Sequence, residues 1–279
     1  MPLKSTRAAS IAIALLAAVA VMPLQGQEIR EGDVTTSDGL RIHYFDLGQD
    51  TGRMPVVMIH GYTANSEWKW IKSGVAQALA ADRRVIAVDA RGHGKSEKPH
   101  DPAMYGPRMA DDVVEVMDAL GIQRAHVHGF SMGGSILTQI LINHPERVAT
   151  AMYGGSGPGE VDPTWIERTP ADPEAPEGMT FPGERWSSYP GFDREAMNAV
   201  QGYPWTDQER AIDLSQVRIP VLAIVGEYDG PNRRTQRMAR ELSDFERVIL
   251  PGETHGSSHF NPTYTESLVR FVHEHDHSH

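Results

Sequence analysis

The chain has 279 residues, of which 40% are hydrophobic and 23% charged, which suits one globular domain with a small insertion better than two independent domains. Its formal net charge of -11 makes nucleic acids and anionic membrane surfaces poor partners, because both are negatively charged. The absence of cysteine excludes disulfide bonds and lipidation at a thiol.

The first part of the chain has the pattern of a targeting segment. An uncharged apolar run, residues 11–22, follows two basic residues and precedes a proline and small residues. This pattern predicts a secretory signal peptide over residues 1–26, with cleavage after Ala20 or Gly26. The run is shorter than the ~20 residues that span a bilayer, so we expect no stable membrane insertion after processing; a retained anchor is the alternative. The prediction implies export to the bacterial periplasm or the medium.

Beyond this segment, short apolar runs alternate with stretches of helical spacing. The predicted strands are residues 41–47, 55–59, 84–88, 125–128, 148–153, 219–225 and 247–250. The predicted helices are residues 74–81, 109–120, 135–142 and 264–272. The alternation predicts an α/β fold with a mostly parallel sheet and helices on both faces. Such sheets bind ligands beyond the carboxyl ends of their strands, so we expect the chemistry there.

The predicted core is interrupted by an insertion. The core comprises residues 27–155 and 214–272, and residues 156–213 form a small lid rich in proline and tryptophan. Aromatic residues are depleted in disordered segments, which argues against a disordered linker. Residues 273–279 form a histidine-rich tail, which we interpret as flexible with adventitious metal affinity. No HExxH or CxxC pattern occurs and no GxGxxG follows a predicted strand, so neither a metal site nor a cofactor is predicted.

The strongest motif is residues 129–134 (GFSMGG), which follow a predicted strand and open a predicted helix. Small residues are needed there because larger side chains on either side of a sharp turn would collide. Such a turn exposes the hydroxyl of Ser131 at a helix N-terminus, and the N–H of Met132 can then stabilise a developing oxyanion. The alternative is a tight glycine turn whose serine only caps a helix.

With this motif, the sequence resembles the α/β-hydrolase superfamily over nearly all of the chain beyond residue 26. His60 and Gly61 resemble the family's HG motif, and residues 89–96 (DARGHGKS) resemble its D-x-R-G-x-G-x-S loop. In the family that loop is usually a structural turn. We therefore expect residues 89–96 and His60 to hold neighbouring loops together and not to act in catalysis.

The resemblance implies a catalytic triad in the order serine, aspartate, histidine. Ser131 would be the nucleophile, activated by a base because a free hydroxyl is a weak nucleophile. His255 matches the family's catalytic histidine, and Asp229 matches the acid that orients it. The family usually has glycine where this chain has Thr254, and His259 competes with His255 for the role of base. We favour His255 because the proline and helix that follow it lie at the family's usual offset.

The resemblance also implies where a substrate would bind. The backbone N–H groups of Tyr62 and Met132 are the predicted oxyanion donors. The side chains of Tyr62, Phe130 and Trp186 are candidates for substrate binding. The aromatic residues of the lid could line an apolar acyl pocket or form the core of the lid itself.

Serine at the turn implies acyl transfer, in which an acyl-enzyme forms and water resolves it. Related hydrolases with aspartate at this position form an alkyl-enzyme ester instead. We therefore expect a carboxylic ester hydrolase whose partner is a small-molecule ester of small or medium size. Carbon–carbon bond hydrolases, lactonases, amidases and cofactor-free perhydrolases use the same triad and are alternatives. A non-catalytic binding protein on a hydrolase fold is an alternative of another class.

Overall fold

The computed structural model describes residues 28–168, 173–174, 176, 189–203, 212–230 and 232–276. The predicted signal peptide, residues 1–26, lies outside the described residues, as do Trp186 and residues 277–279 of the tail. Within the described ranges, no helix combines the length and the hydropathy needed to cross a membrane.

Eight strands form one sheet in the order β1-β2-β4-β3-β5-β6-β7-β8. They are β1 (Ile29–Thr35), β2 (Arg41–Leu47), β3 (Val56–Ile59), β4 (Val85–Val88), β5 (Ala125–Phe130), β6 (Val148–Gly154), β7 (Val221–Gly226) and β8 (Phe245–Leu250). The pairs β1–β2 and β2–β4 are antiparallel, and every other neighbouring pair is parallel, so the prediction of a mostly parallel sheet is confirmed. The strand β1 has no predicted counterpart, because its side chains are mostly exposed at the sheet edge and form no apolar run.

Helices cover both faces of this sheet, as predicted. They are α1 (Val75–Leu79), α2 (Arg108–Ala119), α3 (Met132–Asn143), α4 (Pro163–Arg168), α5 (Arg194–Gln201), α6 (Asn232–Glu241) and α7 (Pro262–Glu274). Alternate residues of β3 point to opposite faces: Val57 and Ile59 pack in one core with α2, α3 and α5, and Val56 and Met58 pack in a second core with α1 and α7. Coverage on both faces explains why β3, β4, β5 and β7 are buried along their whole length.

Two helices begin more than one residue earlier than their apolar spacing predicts. The helix α3 starts at Met132 and not at residue 135. Its first turn contains Gly133 and Gly134, which interrupt the apolar pattern from which the start was predicted. The helix α7 starts at Pro262, and the side chain of Asn261 caps it by accepting a hydrogen bond from a backbone N–H at 3.0 Å. The cap at Asn261, which apolar spacing does not report, therefore marks the start of α7.

The insertion between β6 and β7 contains α4 and α5, and no strand among its described residues. Asp193 caps α5 by accepting hydrogen bonds from two backbone N–H groups. The buried face of α5 includes Met197 and Val200, which belong to the core that also holds α2 and α3. The hydroxyl of Tyr62 donates to the carbonyl of Met197 at 3.0 Å. The helix α5 is therefore fastened to the loop that follows β3.

The start of the histidine-rich tail is held in place. The helix α7 runs past the predicted boundary at residue 272 and ends at Glu274. Asp276 then accepts hydrogen bonds from Arg53 Nη1 at 2.7 Å and from the N–H of Met54 at 3.2 Å. The interpretation of the tail as flexible is therefore corrected for residues 273–276, which are fixed by the last helix and by an ion pair.

Candidate active site

Ser131 lies in the tight turn between β5 and α3. Its φ of 53° and ψ of -116° belong to a region that residues other than glycine rarely adopt. Its backbone N–H donates to the carbonyl of Gly154 at 2.8 Å, which ties the turn to the neighbouring strand β6. The strained backbone presents the hydroxyl at the N-terminus of α3, beyond the carboxyl end of the central strands.

The glycines around Ser131 are required by close backbone approaches. A Cβ atom on Gly129 would overlap the carbonyl of Gly133, and a Cβ atom on Gly133 would overlap the carbonyl of Ile59. Gly61 passes so near the turn that its Cβ would lie 3.2 Å from the Cβ of Ser131. The structure therefore leaves no room for larger side chains at these positions, as expected.

The structure brings Ser131, His255 and Asp229 together although they are far apart in the chain. His255 Nε2 lies 2.9 Å from Ser131 Oγ, and His255 Nδ1 lies 2.9 Å from Asp229 Oδ1. A carboxylate can only accept, so Nδ1 carries the proton and Nε2 accepts a hydrogen bond from the serine hydroxyl. Asp229 is fully buried, whereas 40% of the His255 side chain is exposed. The three residues follow β5, β8 and β7, so the carboxyl ends of parallel strands supply the whole group.

The competing histidine, His259, does not contact Ser131 through a hydrogen bond in this arrangement. Its Nδ1 lies 2.9 Å from Nζ of Lys69, and burial lowers its pKa to about 2. Thr254, which replaces the expected glycine, is buried, and its hydroxyl lies 3.1 Å from Ser257 Oγ. In the structure, His255 therefore contacts Ser131, whereas His259 contacts Lys69.

The two predicted oxyanion donors belong to residues next to the turn at Ser131 and next to Gly61. The N–H of Met132 is at the first position of α3, where a helix has no acceptor for its own N–H groups. Tyr62 follows Gly61, the residue whose backbone approaches Ser131. The Tyr62 hydroxyl is bonded to α5, so its ring lies between the β3 loop and the insertion.

Of the other two predicted substrate-binding residues, the structure describes only Phe130. Trp186 lies outside the described residues. Phe130 is only 3% exposed, and its ring centre lies 5.0 Å from that of His255. The prediction for Phe130 is therefore corrected: its side chain packs beneath the imidazole and offers almost no surface to a ligand.

His60 and the loop of residues 89–96 hold neighbouring loops together, as expected. His60 is fully buried, its Nδ1 donates to the carbonyl of Gly61 at 2.8 Å, and its Nε2 accepts from the N–H of Ala90 at 3.1 Å. Burial lowers the pKa of His60, which keeps the ring neutral. Asp89 accepts hydrogen bonds from the N–H of Ser66 at 2.7 Å and of Lys95 at 2.8 Å.

Two residues at this site have no counterpart in the sequence predictions. Gly155 has φ of +53°, and its backbone touches the triad, because a Cβ atom there would lie 2.7 Å from Asp229 Oδ2. Lys69 is buried in a single π-helical turn, Glu67–Ile71, between β3 and α1. The only sequence signal for Lys69 was its position between two tryptophans, and no local signal distinguished Gly155 from the other glycines.

Comparisons with known proteins agree with this geometry. A family model for the alpha/beta hydrolase fold matches residues 54–212. A putative carbamate hydrolase from Caulobacter sp. (strain K31) is 29% identical over 270 residues, 85% of this chain and 97% of that protein. A 2-hydroxymuconate semialdehyde hydrolase from Pseudomonas sp. (strain CF600) is 39% identical over 122 residues, 42% of this chain and 41% of that protein.

Several curated relatives match over less than half of their own length. Among solved structures, Est816, described as an N-acyl homoserine lactone degrading enzyme, has a TM-score of 0.68 and 25% identity. That likeness covers 86% of this chain and 99% of the other. The family model spans more than half of the chain. The turn at Ser131 and its contact with His255, which the resemblance predicted, are both seen in the structure. The protein therefore belongs to the alpha/beta hydrolase family.

Proposed function

We propose that the protein is a serine hydrolase that cleaves small or medium carboxylic esters through an acyl-enzyme. One observation carries this proposal: His255 Nε2 is 2.9 Å from Ser131 Oγ while His255 Nδ1 is 2.9 Å from the buried carboxylate of Asp229. This is the arrangement in which an imidazole can take the hydroxyl proton and a carboxylate can stabilise the resulting imidazolium.

In the first half-reaction, Ser131 Oγ attacks the ester carbonyl carbon and His255 Nε2 takes the hydroxyl proton. The carbonyl oxygen becomes an oxyanion, which the N–H groups of Met132 and Tyr62 would stabilise. When the intermediate collapses, the bond to the alcohol oxygen breaks, and His255 returns its proton to that oxygen. The alcohol leaves, and the acyl group remains as an ester of Ser131.

In the second half-reaction, water takes the place of the alcohol. His255 Nε2 accepts a proton from the water as it attacks the acyl carbon, and the same N–H groups stabilise the second oxyanion. Collapse breaks the bond to Ser131 Oγ, which regains its proton from His255. Asp229 keeps Nδ1 protonated in both halves, and its full burial strengthens its interaction with the imidazolium.

Relatives of the protein are named for acting on several kinds of bond. Relatives are named as hydrolases of carbamates and of 2-hydroxymuconate semialdehyde, and one structural neighbour is named for degrading a lactone, which is a cyclic ester. Lactones, amides and carbon–carbon bonds therefore belong in the substrate panel beside simple esters. A binding protein without catalysis is the alternative of a different class.

The direct test is hydrolysis of p-nitrophenyl acetate and butyrate by purified protein, with Ser131→Ala beside it. We expect this variant to lose on the order of 10⁴-fold or more in kcat, because removing a triad nucleophile leaves only the oxyanion donors and binding. The matched control is Ser135→Ala, one helical turn further along α3. Equal activity of the unsubstituted protein and Ser131→Ala would end the proposal. Labelling by a fluorophosphonate that needs Ser131 would exclude the non-catalytic alternative.

A further inference from the structure

The chain segment that follows β6, residues 154–159, has few side chains with which to hold itself in place. Its sequence is GGSGPG, and glycine has the greatest backbone freedom of any residue. The segment nevertheless runs directly past the triad. A Cβ atom on Gly155 would lie 2.7 Å from Asp229 Oδ2 and 3.0 Å from His255 Nδ1. Groups from outside the segment must therefore fix its position.

Two arginines of α6 donate hydrogen bonds to the backbone of this segment. Arg237 Nη1 donates to the carbonyl of Gly159 at 2.6 Å, and Arg234 Nη1 donates to the carbonyl of Gly157 at 3.3 Å. A Cβ atom on Gly157 would lie 2.7 Å from Met238 Cε, so the segment also packs closely against the helix. Arg237 and Met238 are three and four positions after Arg234, so all three lie on one face of α6. One helix face therefore holds the glycine-rich segment.

Arg237 also binds the other end of the insertion. Its Nη2 donates to the carbonyl of Ile212 at 2.9 Å, and its Nε donates to Glu241 at 3.0 Å. The residue is only 3% exposed, and buried carbonyl groups that lose their donor cost free energy. A guanidinium group is planar and directs its N–H groups along fixed axes. It therefore fixes the carbonyl groups of Gly159 and Ile212, the two ends of the insertion, relative to each other.

We propose that Arg237 is a positioning residue of the active site: it clamps both ends of the insertion and so keeps the backbone of Gly155 against the triad. The inference rests on the proposed function, in which His255 must stay aligned with Ser131. A lysine at this position would keep a positive charge near Glu241, but its single terminal nitrogen lacks the planar fork that bonds two carbonyl groups and a carboxylate together. The clamp therefore predicts that lysine is a poor substitute for arginine here.

The first test is Arg237→Lys, with p-nitrophenyl butyrate as the substrate. We expect kcat to fall roughly 3- to 10-fold, because a displacement of a few tenths of an ångström costs part of the ~10²-fold that is lost for ~1 Å. KM should change less than kcat, because the clamp acts on the alignment of the triad. The matched control is Arg240→Lys, one helical turn further along α6. Arg240 pairs with the carboxylates of Glu160 and Glu241, contacts that a lysine can keep, so its kcat should stay within about twofold.

A double-mutant cycle distinguishes positioning of the triad from a general loss of stability. Gly155→Ala adds a methyl group that crowds Asp229 and His255. If Arg237 acts through Gly155, loosening the segment lets this methyl group withdraw. Arg237→Lys should then lower kcat less in the Gly155→Ala background than it does alone. Equal losses in the two backgrounds would overturn the proposal, because Arg237 would then act independently of Gly155.

A second measurement does not depend on turnover. Hydrogen exchange followed by mass spectrometry reports on the amides of residues 154–160, including the N–H of Gly155, which donates to the carbonyl of Ile224 at 2.9 Å. Exchange there should be faster in Arg237→Lys than in the unsubstituted protein or Arg240→Lys, and the increase should exceed that in the core strands. Urea unfolding checks that each variant is folded, and Arg237→Gln, which keeps an amide donor, replaces Arg237→Lys if the latter does not fold. Unchanged exchange in a folded variant overturns the proposal whether or not the protein hydrolyses esters. Faster exchange in a protein that hydrolyses no ester counts against the proposed function and not against the clamp.

Discussion

Gly155, at the end of β6, offers a sharp test of how tightly the triad is packed. An alanine Cβ there would lie 2.7 Å from Asp229 Oδ2 and 3.0 Å from His255 Nδ1, whereas ordinary contacts begin at 3.4 Å. The two side chains would have to withdraw by about 0.7 and 0.4 Å, the differences between these distances. A displacement of this size at a reacting group, with ~1 Å costing ~10²-fold, predicts that Gly155→Ala lowers kcat by roughly 10- to 100-fold.

The substitution of Gly155 also costs backbone conformational energy, which must be separated from the effect of the contact with Asp229 and His255. Gly155 has φ of +53°, and a residue with a Cβ atom loses about 1–2 kcal/mol in this region. Gly52 is the matched control, because it has φ of +78° and nothing within 4 Å of a built Cβ. Gly52→Ala should therefore lose similar stability without any loss of kcat.

The assay compares kcat and KM for p-nitrophenyl butyrate in the two alanine variants, with urea unfolding to measure their stability. Subtracting the stability loss of Gly52→Ala from that of Gly155→Ala isolates the cost of the contact with Asp229 and His255. If Gly155→Ala keeps a kcat within twofold of Gly52→Ala, the reasoning is refuted, because the triad would then tolerate a displacement that we expect to disable it.

Two further predictions concern stability and processing. Burial lowers the pKa of His93 and of His126 to about 3 and that of His128 to about 4, below the ~6.5 of an unfolded histidine. Below pH ~6.5 the unfolded state therefore binds protons that the folded state does not, and stability should fall by up to about 1.4 kcal/mol per pH unit for each ring. Urea unfolding at pH 7, 6 and 5 measures this slope, which His126→Asn should make shallower; a flat profile would contradict it. We also predict that the protein is exported and cleaved after Ala20 or Gly26, which N-terminal sequencing checks; a mature chain that keeps residues 11–22 would contradict the signal peptide.

Much of the core could be predicted because strands that are buried on both faces consist almost entirely of apolar residues. The strand β7 is covered on both faces and therefore reads as an apolar run, whereas β1 is exposed at the edge and left no such mark. Phe130 shows the limit of local interpretation. Its position next to Ser131 suggested a place in the pocket, but whether its ring faces a ligand or the interior depends on Lys69 and His255, which come from other parts of the chain.

The sequence alone predicted the turn at Ser131, because its glycines lie within a few positions of one another and one of their constraints, Gly129 against the carbonyl of Gly133, is local. It also determined the alternation of strands and helices, since each element carries its own periodicity. Only the tertiary structure decided that His255 meets Ser131 while His259 meets Lys69, because both partners lie more than 100 positions away. These contacts form because the sheet brings the ends of distant strands together, and no local pattern of residues predicts them.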